Sequence, residues 1–359
     1  MIPLFQSFLE LLELEDEKLI NTQTHRLRLE ARITRTRKNW FDILNYKEFQ
    51  ERFRLSKDQF LMLLNRIASR LRSNRAVNPS DISPCIKLQV ALRFYATGSY
   101  LITCGDFCGI STKSAQRIVH TVSPRIAALC NDFIKFPVEC NEILRVQQEN
   151  FKRAGFIRAI GAIDCTHVRI QSYGGNDAEF CRNRKGFFSI NVQAIADSEL
   201  RLLDFVARWP GSAHDSTIFD NSSIKARFDS GEFGNCLLLG DAGYRNLPYL
   251  MTPLQNPINP AEALYNEAQI RTRSIIERCF GVWKKTFPIL SIGSRFKTME
   301  RTMAVIIATA VLHNIIRITD IVQNSDFDTC CNFVQRENDN ILHADERKYL
   351  IDNYFQTLV

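Results

Sequence analysis

The sequence predicts an α/β fold preceded by an all-helical segment, and three observations carry that prediction. Apolar residues recur at helical spacing from about residue 50 to about residue 150. From about Phe156 the pattern changes to short apolar runs separated by polar turns. Three strand-like runs, a helix, a further strand and then long helices follow, which is an α/β order. With 359 residues, 45% apolar and 24% charged, the chain is long enough for one large or two smaller domains and can bury a substantial core. The expected divisions are a helical domain over 1–150, an α/β domain over 151–320 and a C-terminal tail over 321–359.

Residues 1 to about 50 read as helical and partly exposed. "THRLRLEARITRTRK" (24–38) holds six basic residues against Glu30, which suits a phosphate-binding arm, an import signal or a solvated helix face. The next helix starts at Ser56, which with Gln59 forms a capping box. Leu55 and Phe60 stand at the positions of a hydrophobic staple, and Phe60, Leu64, Ile67 and Leu71 form the apolar stripe. A helix from Pro84 to about Thr97 ends at Gly98. "YLITCGDFCGISTKSAQRIVHTV" then gives two helices around Gly109, the second capped by Ser111, in the manner of a helix-turn-helix. Lys113, Ser114 and Arg117 take its groove-facing positions, although helix pairs joined by a glycine turn are also common in bundles.

The strands expected beyond Phe156 cover Gly161–Ile170, Ser189–Ser198 and Arg201–Pro210. "HDSTIFDNSSIKARF" reads as one helix, "CLLLGDAGY" as a short strand, and 261–287 and 300–319 as long helices. "MAVIIATAVLHNII" (Met303–Ile316) falls short of the roughly 20 residues a membrane span needs and includes His313 and Asn314, so it reads as a core helix, with no membrane partner. The 11 cysteines are odd in number and scattered, without a paired CxxC pattern, and favour a reducing compartment such as cytosol or nucleus. The net charge of +7 suits a nucleic-acid partner and equally a basic solvated surface.

Two apolar runs stop at an aspartate, at Asp164 in "IGAIDCTHVRI" and at Asp241 in "CLLLGDAGY". Buried carboxylates are paired, protonated or bound to metal. If the two strands are neighbours the carboxylates meet, and a hard divalent cation, Mg²⁺ or Mn²⁺, relieves their repulsion. Glu277 borders the helical face made by Ile276, Cys279, Phe280 and Trp283, with Arg273 one turn before it. A third metal ligand and a surface ion pair with Arg273 both fit that position. Asp215 follows His214, a pair reminiscent of HD-type phosphohydrolases, but only six histidines exist and a helix N-terminus is an ordinary place for Asp. Arg182, Arg184 and Lys185 precede a strand, and with Arg273 and Lys284 are candidate contacts to a nucleic-acid backbone.

"AIDCTHVRI", "GSAHDSTIFD", "LLGDAGYRNLPYLMTP" and "AEALYNEAQIRTRSIIERCFGVWKKTFPIL" together resemble the transposase family of PIF/Harbinger elements and its domesticated nuclease relatives, over roughly 157–316. The resemblance implies an RNase H-like core with a DDE triad in which Asp164, Asp241 and Glu277 are catalytic and metal-binding and Asp215 lies near the metal. It also implies DNA as substrate, a Myb/SANT-like DNA-binding partner protein that helps bring the chain to the nucleus, and assembly into a homo-oligomer. The expected activity is metal-dependent hydrolysis of DNA phosphodiesters. A non-catalytic binding protein on the same fold and an active element-encoded transposase are the competing readings. One departure stands out: the family's helix often carries a histidine shortly before its arginine pair, where this chain has Gln269.

Overall fold

The computed structural model describes residues 36–71, 81–175, 178–324 and 342–359, with side chains of the last long helix described to residue 318. Most of the basic stretch 24–38, and Cys330 and Cys331, lie outside the described residues. Helices come first: α1 (Trp40–Ile43), α2 (Tyr46–Phe53), α3 (Lys57–Leu71), α4 (Pro84–Thr97), α5 (Leu101–Cys108), α6 (Thr112–Ala127), α7 (Cys130–Phe133) and α8 (Cys140–Ala154). The capping box at α3 forms as expected: Gln59 N–H donates to Ser56 Oγ (3.2 Å) and Ser56 N–H to Gln59 Oε1 (2.8 Å). The buried stripe is Phe60, Leu63, Ile67 and Leu71; Leu63 takes the place expected for Leu64, which is only partly buried. Ser83 caps α4, and Gly98 ends it in a left-handed conformation (φ 60°).

The helix pair α5–α6 turns at Gly109 (φ 69°), where a Cβ would lie 2.2 Å from the carbonyl oxygen of Thr36. Ser111 caps α6 through Ser114 N–H (3.2 Å). Lys113 and Arg117 are both exposed on it.

Among the described residues, five strands form one mixed sheet in the order β3-β2-β1-β4-β5, with β1 Ala159–Arg169, β2 Ser189–Ala196, β3 Leu202–Pro210, β4 Leu237–Leu239 and β5 Leu250–Met251. β1, β2 and β3 run antiparallel, while β4 runs parallel to β1 and β5 parallel to β4. The two-residue β5 has no apolar run of strand length to announce it. The segment expected as one helix is two, α9 (Asp215–Asp220) and α10 (Ser223–Asp229). Asn221 bonds back to the Thr217 carbonyl (2.8 Å) and Ser222 caps the second helix, so local side-chain bonds break the backbone ladder there.

Two long helices, α11 (Pro260–Thr286) and α13 (Met299–Asn324), cover the sheet, joined through the short α12 (Ile289–Ile292). The stretch Met299–Ile318 is long and apolar enough to cross a membrane by length and composition alone, but it is mostly buried inside the fold. Its polar residues are fastened to the chain around β3. Asn314 accepts from Leu202 N–H (2.9 Å) and donates to the Leu202 carbonyl (2.7 Å), and His313 Nε2 meets the Leu200 carbonyl (2.7 Å). Burial pushes the His313 imidazole down to about 4, so it stays neutral. One apolar cluster runs from Phe49 through Ile190 and Trp283 to Ile315 and so joins the helices to the sheet.

The end of the chain is docked. In α14 (Glu346–Asn353) and the turn after it, Leu350, Ile351 and Phe355 pack with Phe156 and Tyr265. Glu346 pairs with Arg158 where both side chains are buried. Glu346→Ala would leave Arg158 charged and alone, at a cost of about 3–5 kcal/mol. Urea unfolding should show the free energy of unfolding lowered by that amount; an unchanged value would mean that the pair contributes nothing to stability.

Candidate active site

The apolar run stops at Asp164 but the strand does not: β1 continues to Arg169, paired with β2 throughout. What ends near Asp164 is the pairing with β4. The last partnered positions are Ala162 and Leu239. Two residues further along each parallel strand stand Asp164 and Asp241, so the register sets the two carboxylates side by side just past the end of the ladder. Apolar strand residues bring both there, and burial is the largest influence on Asp164. It pushes that carboxyl up to about 6; Asp241 and Asp215 add to the rise, while the Cys165 N–H (2.7 Å) and Arg273 oppose it.

Gly240 and Gly243 flank Asp241. The Asp241 carboxylate accepts from Gly243 N–H (2.9 Å), and a Cβ at Gly243 would lie 3.1 Å from that same oxygen. The preceding carbonyl, Gly240, is held by Gln269, whose Nε2 also reaches the Met251 carbonyl (2.7 and 3.2 Å). Gln269 is fully buried on α11. The residue that departs from the resembled pattern thus fixes the backbone in front of the second aspartate.

Side chains alternate along β1, so Asp164 and Thr166 face one side and Cys165 and His167 the other. α11 covers the first side: Arg273 Nη1 lies 3.6 Å from Asp164, and Lys284 donates to Thr166 Oγ1 (2.6 Å) and the His167 carbonyl (2.9 Å). Asp215, at the start of α9, comes to the second side. It accepts from Asn191 Nδ2 (2.9 Å) and lies against the Cys165 thiol. Cys165 in turn meets Tyr244 Oη (3.4 Å), and burial raises both of these groups.

Arg273 occupies a central place. The same guanidinium that faces Asp164 forms an ion pair through Nη2 with Glu277 (2.8 Å). Glu277 is 57% exposed and pairs with Arg273, so the surface ion pair is what forms. Among the described residues no three His, Cys, Asp or Glu side chains converge as a metal-ligand group. The donor chemistry of Asp164, Asp241 and Asp215 nevertheless suits a hard cation, because two of these oxyanions disfavour the charge on the third.

The remaining basic candidates differ in freedom. Lys284 is bonded to β1, and burial and Lys185 depress it to about 8. Arg182 is paired with Glu179 (2.7 Å) and lies over the Phe188 ring (4.5 Å). Arg184 meets His214 Nδ1 (2.6 Å), which ties the histidine of the HD-like pair to a cation. Lys185 is exposed and close enough to disfavour charge on Lys284 and His167. Sequence reasoning did not single out Asn191, Tyr244 or Arg273's contact with Asp164. The strand register of β1 with β2 supplies the first, and a tertiary approach that has no sequence period supplies the others.

Asp164 gives the metal-free protein a pH dependence. Its folded value, about 6, lies above the ordinary 3.8. The native state therefore holds the extra proton between those values, so the stabilisation is full below roughly pH 4 and is lost as pH rises toward 6. In EDTA near neutral pH, Asp164→Asn should be more stable to urea, with an unfolding free energy higher by about 2–3 kcal/mol, and the difference should close below roughly pH 4. A variant no more stable than the wild type near neutral pH would contradict a raised Asp164.

Residues 163–314 match the family described as DDE superfamily endonuclease. The human protein named "Putative nuclease HARBI1" is 34% identical over 259 residues, covering 72% of this chain and 74% of that protein. Its counterpart in Xenopus laevis is 31% identical over 237 residues, covering 65% and 68%. "Protein ALP1-like" of Arabidopsis thaliana is 23% identical over 290 residues, covering 75% and 70%. No solved structure gives a significant match. On this similarity, and with the four motifs falling in the matched region, the chain belongs to the PIF/Harbinger transposase family, within the DDE superfamily endonucleases.

Proposed function

We propose that this chain is a divalent-metal-dependent nuclease of transposase origin that hydrolyses DNA phosphodiester bonds. The observation that carries the reading is the register of β1 with β4, which sets Asp164 beside Asp241 where the parallel ladder ends. The sheet order, with three antiparallel strands followed by two parallel ones, supports an RNase H-like core. The helices up to residue 154 support a helical N-terminal domain over 1–150 before a nuclease domain over 151–320. The proposal extends to a Myb/SANT-like DNA-binding partner, a homo-oligomer and residence in both nucleus and cytoplasm. Whether the chain transposes an element or only cleaves DNA is a further choice within the same chemistry.

In the mechanism, Asp164 and Asp241 would hold Mg²⁺ or Mn²⁺, with Asp215 as a further oxygen donor from the other face of β1. A divalent ion there supplies Lewis-acid stabilisation of phosphate charge and makes water more acidic. Asn191 orients the Asp215 carboxylate by donating to it. Gln269 fixes the backbone in front of Asp241. Arg273 neutralises Asp164 and carries Glu277, so the same guanidinium can turn toward a substrate phosphate and release Glu277 for the site. Arg182, Arg184 and Lys185 line the approach as backbone contacts, while Lys284 holds α11 to β1.

The Arg273 contacts also favour a second reading, a non-catalytic DNA- or partner-binding protein in which that arginine permanently replaces a cation. Nicking of supercoiled plasmid separates the two. The nuclease reading predicts cleavage that needs Mg²⁺ or Mn²⁺ and disappears in both Asp164→Asn and Asp241→Asn. Absence of metal-dependent cleavage by folded wild-type protein, with partner present, would favour the binding reading.

A further inference from the structure

Between α4–α6 and the segment after α12 lies a cleft of about 330 Å³ that none of the triad residues line. Its floor is apolar, with Phe94, Ile289 and Phe296, and Phe94 and His120 both pack on the Phe296 ring (5.7 and 5.1 Å). Its rim is cationic. Arg295, Lys297 and Arg301 are exposed there, no carboxylate among the described residues lines the cleft, and Glu300 is the acid beside it in sequence. Among the described residues these three cations have no ion pair. Tyr100 stands on the rim, 63% exposed, with the Arg295 guanidinium 4.0 Å from its ring centroid.

The cleft is connected to the active strand. Ser294 bridges Ile170 just past the end of β1, through Ser294 N–H to the Arg169 carbonyl (3.0 Å) and Gln171 N–H to the Ser294 carbonyl (2.9 Å). Asp164 and Arg169 are five residues apart on an extended strand, so the near lip of the cleft begins roughly 17 Å from the first aspartate. On the opposite lip are Thr112 and Gln116 of α6, with Lys113 and Arg117 exposed on the same helix.

An exposed aromatic ring, a cationic border and an apolar floor form the combination that holds unpaired nucleotides: cations follow the phosphates and the ring stacks a base. A duplex would use the cations but would leave the ring and floor without a partner. We infer that this cleft binds a single-stranded DNA segment adjoining the scissile phosphate, with a base stacked on Tyr100 and phosphates on Arg295, Lys297 and Arg301. The inference rests on the reading of the chain as a DNA nuclease, and it identifies where the substrate is gripped away from the metal-binding carboxylates.

The test uses the full chain in EDTA, so that binding is read without cleavage. A fluorescent oligothymidylate and a labelled mixed-sequence duplex are titrated by anisotropy across a range of salt. Tyr100→Ala should weaken oligothymidylate binding about tenfold and leave the duplex within about twofold, while Tyr100→Phe should bind as wild type. Arg295→Ala with Lys297→Ala should flatten the salt dependence of single-strand binding by about 1.4, two phosphate contacts at about 0.7 each. Equal affinity of Tyr100→Ala and wild type for the oligothymidylate would overturn the inference. Equal losses on both DNAs would also overturn it, and would assign the surface to duplex backbone. Displacement of the oligothymidylate by an acidic apolar peptide that binds more tightly would do the same and assign the cleft to a protein partner. Plasmid nicking on the same preparations reads the nuclease proposal separately: active nicking with no single-strand preference sinks the cleft alone.

Discussion

Parallel pairing between β1 and β4 stops at Ala162 and Leu239, and the layout of the site follows from where it stops. Carboxylates two residues beyond a parallel ladder lie in register and too close to ignore one another. Burial makes that proximity expensive, and the response is visible at Asp164, whose carboxyl is raised to about 6. The elements around the pair each supply a part. β2 brings Asn191, α9 brings Asp215, α11 brings Arg273 and Gln269, and the turn after β4 brings the Gly243 N–H to Asp241. All of these contacts gather at or around the two aspartates.

Arg273 shows how the fold meets that need from its own side chains. It stands between a mostly buried carboxylate and an exposed one and satisfies both. Arginine cannot discharge, so the compensation lasts wherever Asp164 is ionised and lapses as pH falls through about 6. A nuclease on this scaffold has to move the guanidinium, whereas a binding protein can leave it in place. The same helix position therefore decides between the two readings, and its energetics are those of one exposed and one largely desolvated pair.

Much of the fold was legible because it rests on local chemistry. The Ser56–Gln59 box, the Gly98 and Gly109 turns and the long helices α11 and α13 all follow from residue type and spacing. The three antiparallel strands were legible for the same reason, since their apolar runs are long. What escaped depends on partners remote in sequence. β5 is two residues long and exists because β4 offers it a free edge. Leu63 replaces Leu64 in the stripe because the neighbouring helices decide which residue faces in. The break between α9 and α10 was written in Asn221 and Ser222 but was masked by the apolar pattern around them. At the site, the pairing of Asp164 with Asp241 followed from reading two strands as neighbours, while the turn of Glu277 toward Arg273 was one of two outcomes that helix spacing alone allowed.

The central proposal is that Asp164 and Asp241 bind a divalent cation. Titration of metal-free protein with Mn²⁺, followed by calorimetry and by the spin-resonance signal of free Mn²⁺, tests it without any substrate. The account predicts saturable binding to the wild type, tighter as pH rises through about 6 because the Asp164 proton must leave, and lost in Asp164→Asn and in Asp241→Asn. Mn²⁺ binding that is unaltered in both variants, or absent from the wild type above that pH, would contradict it.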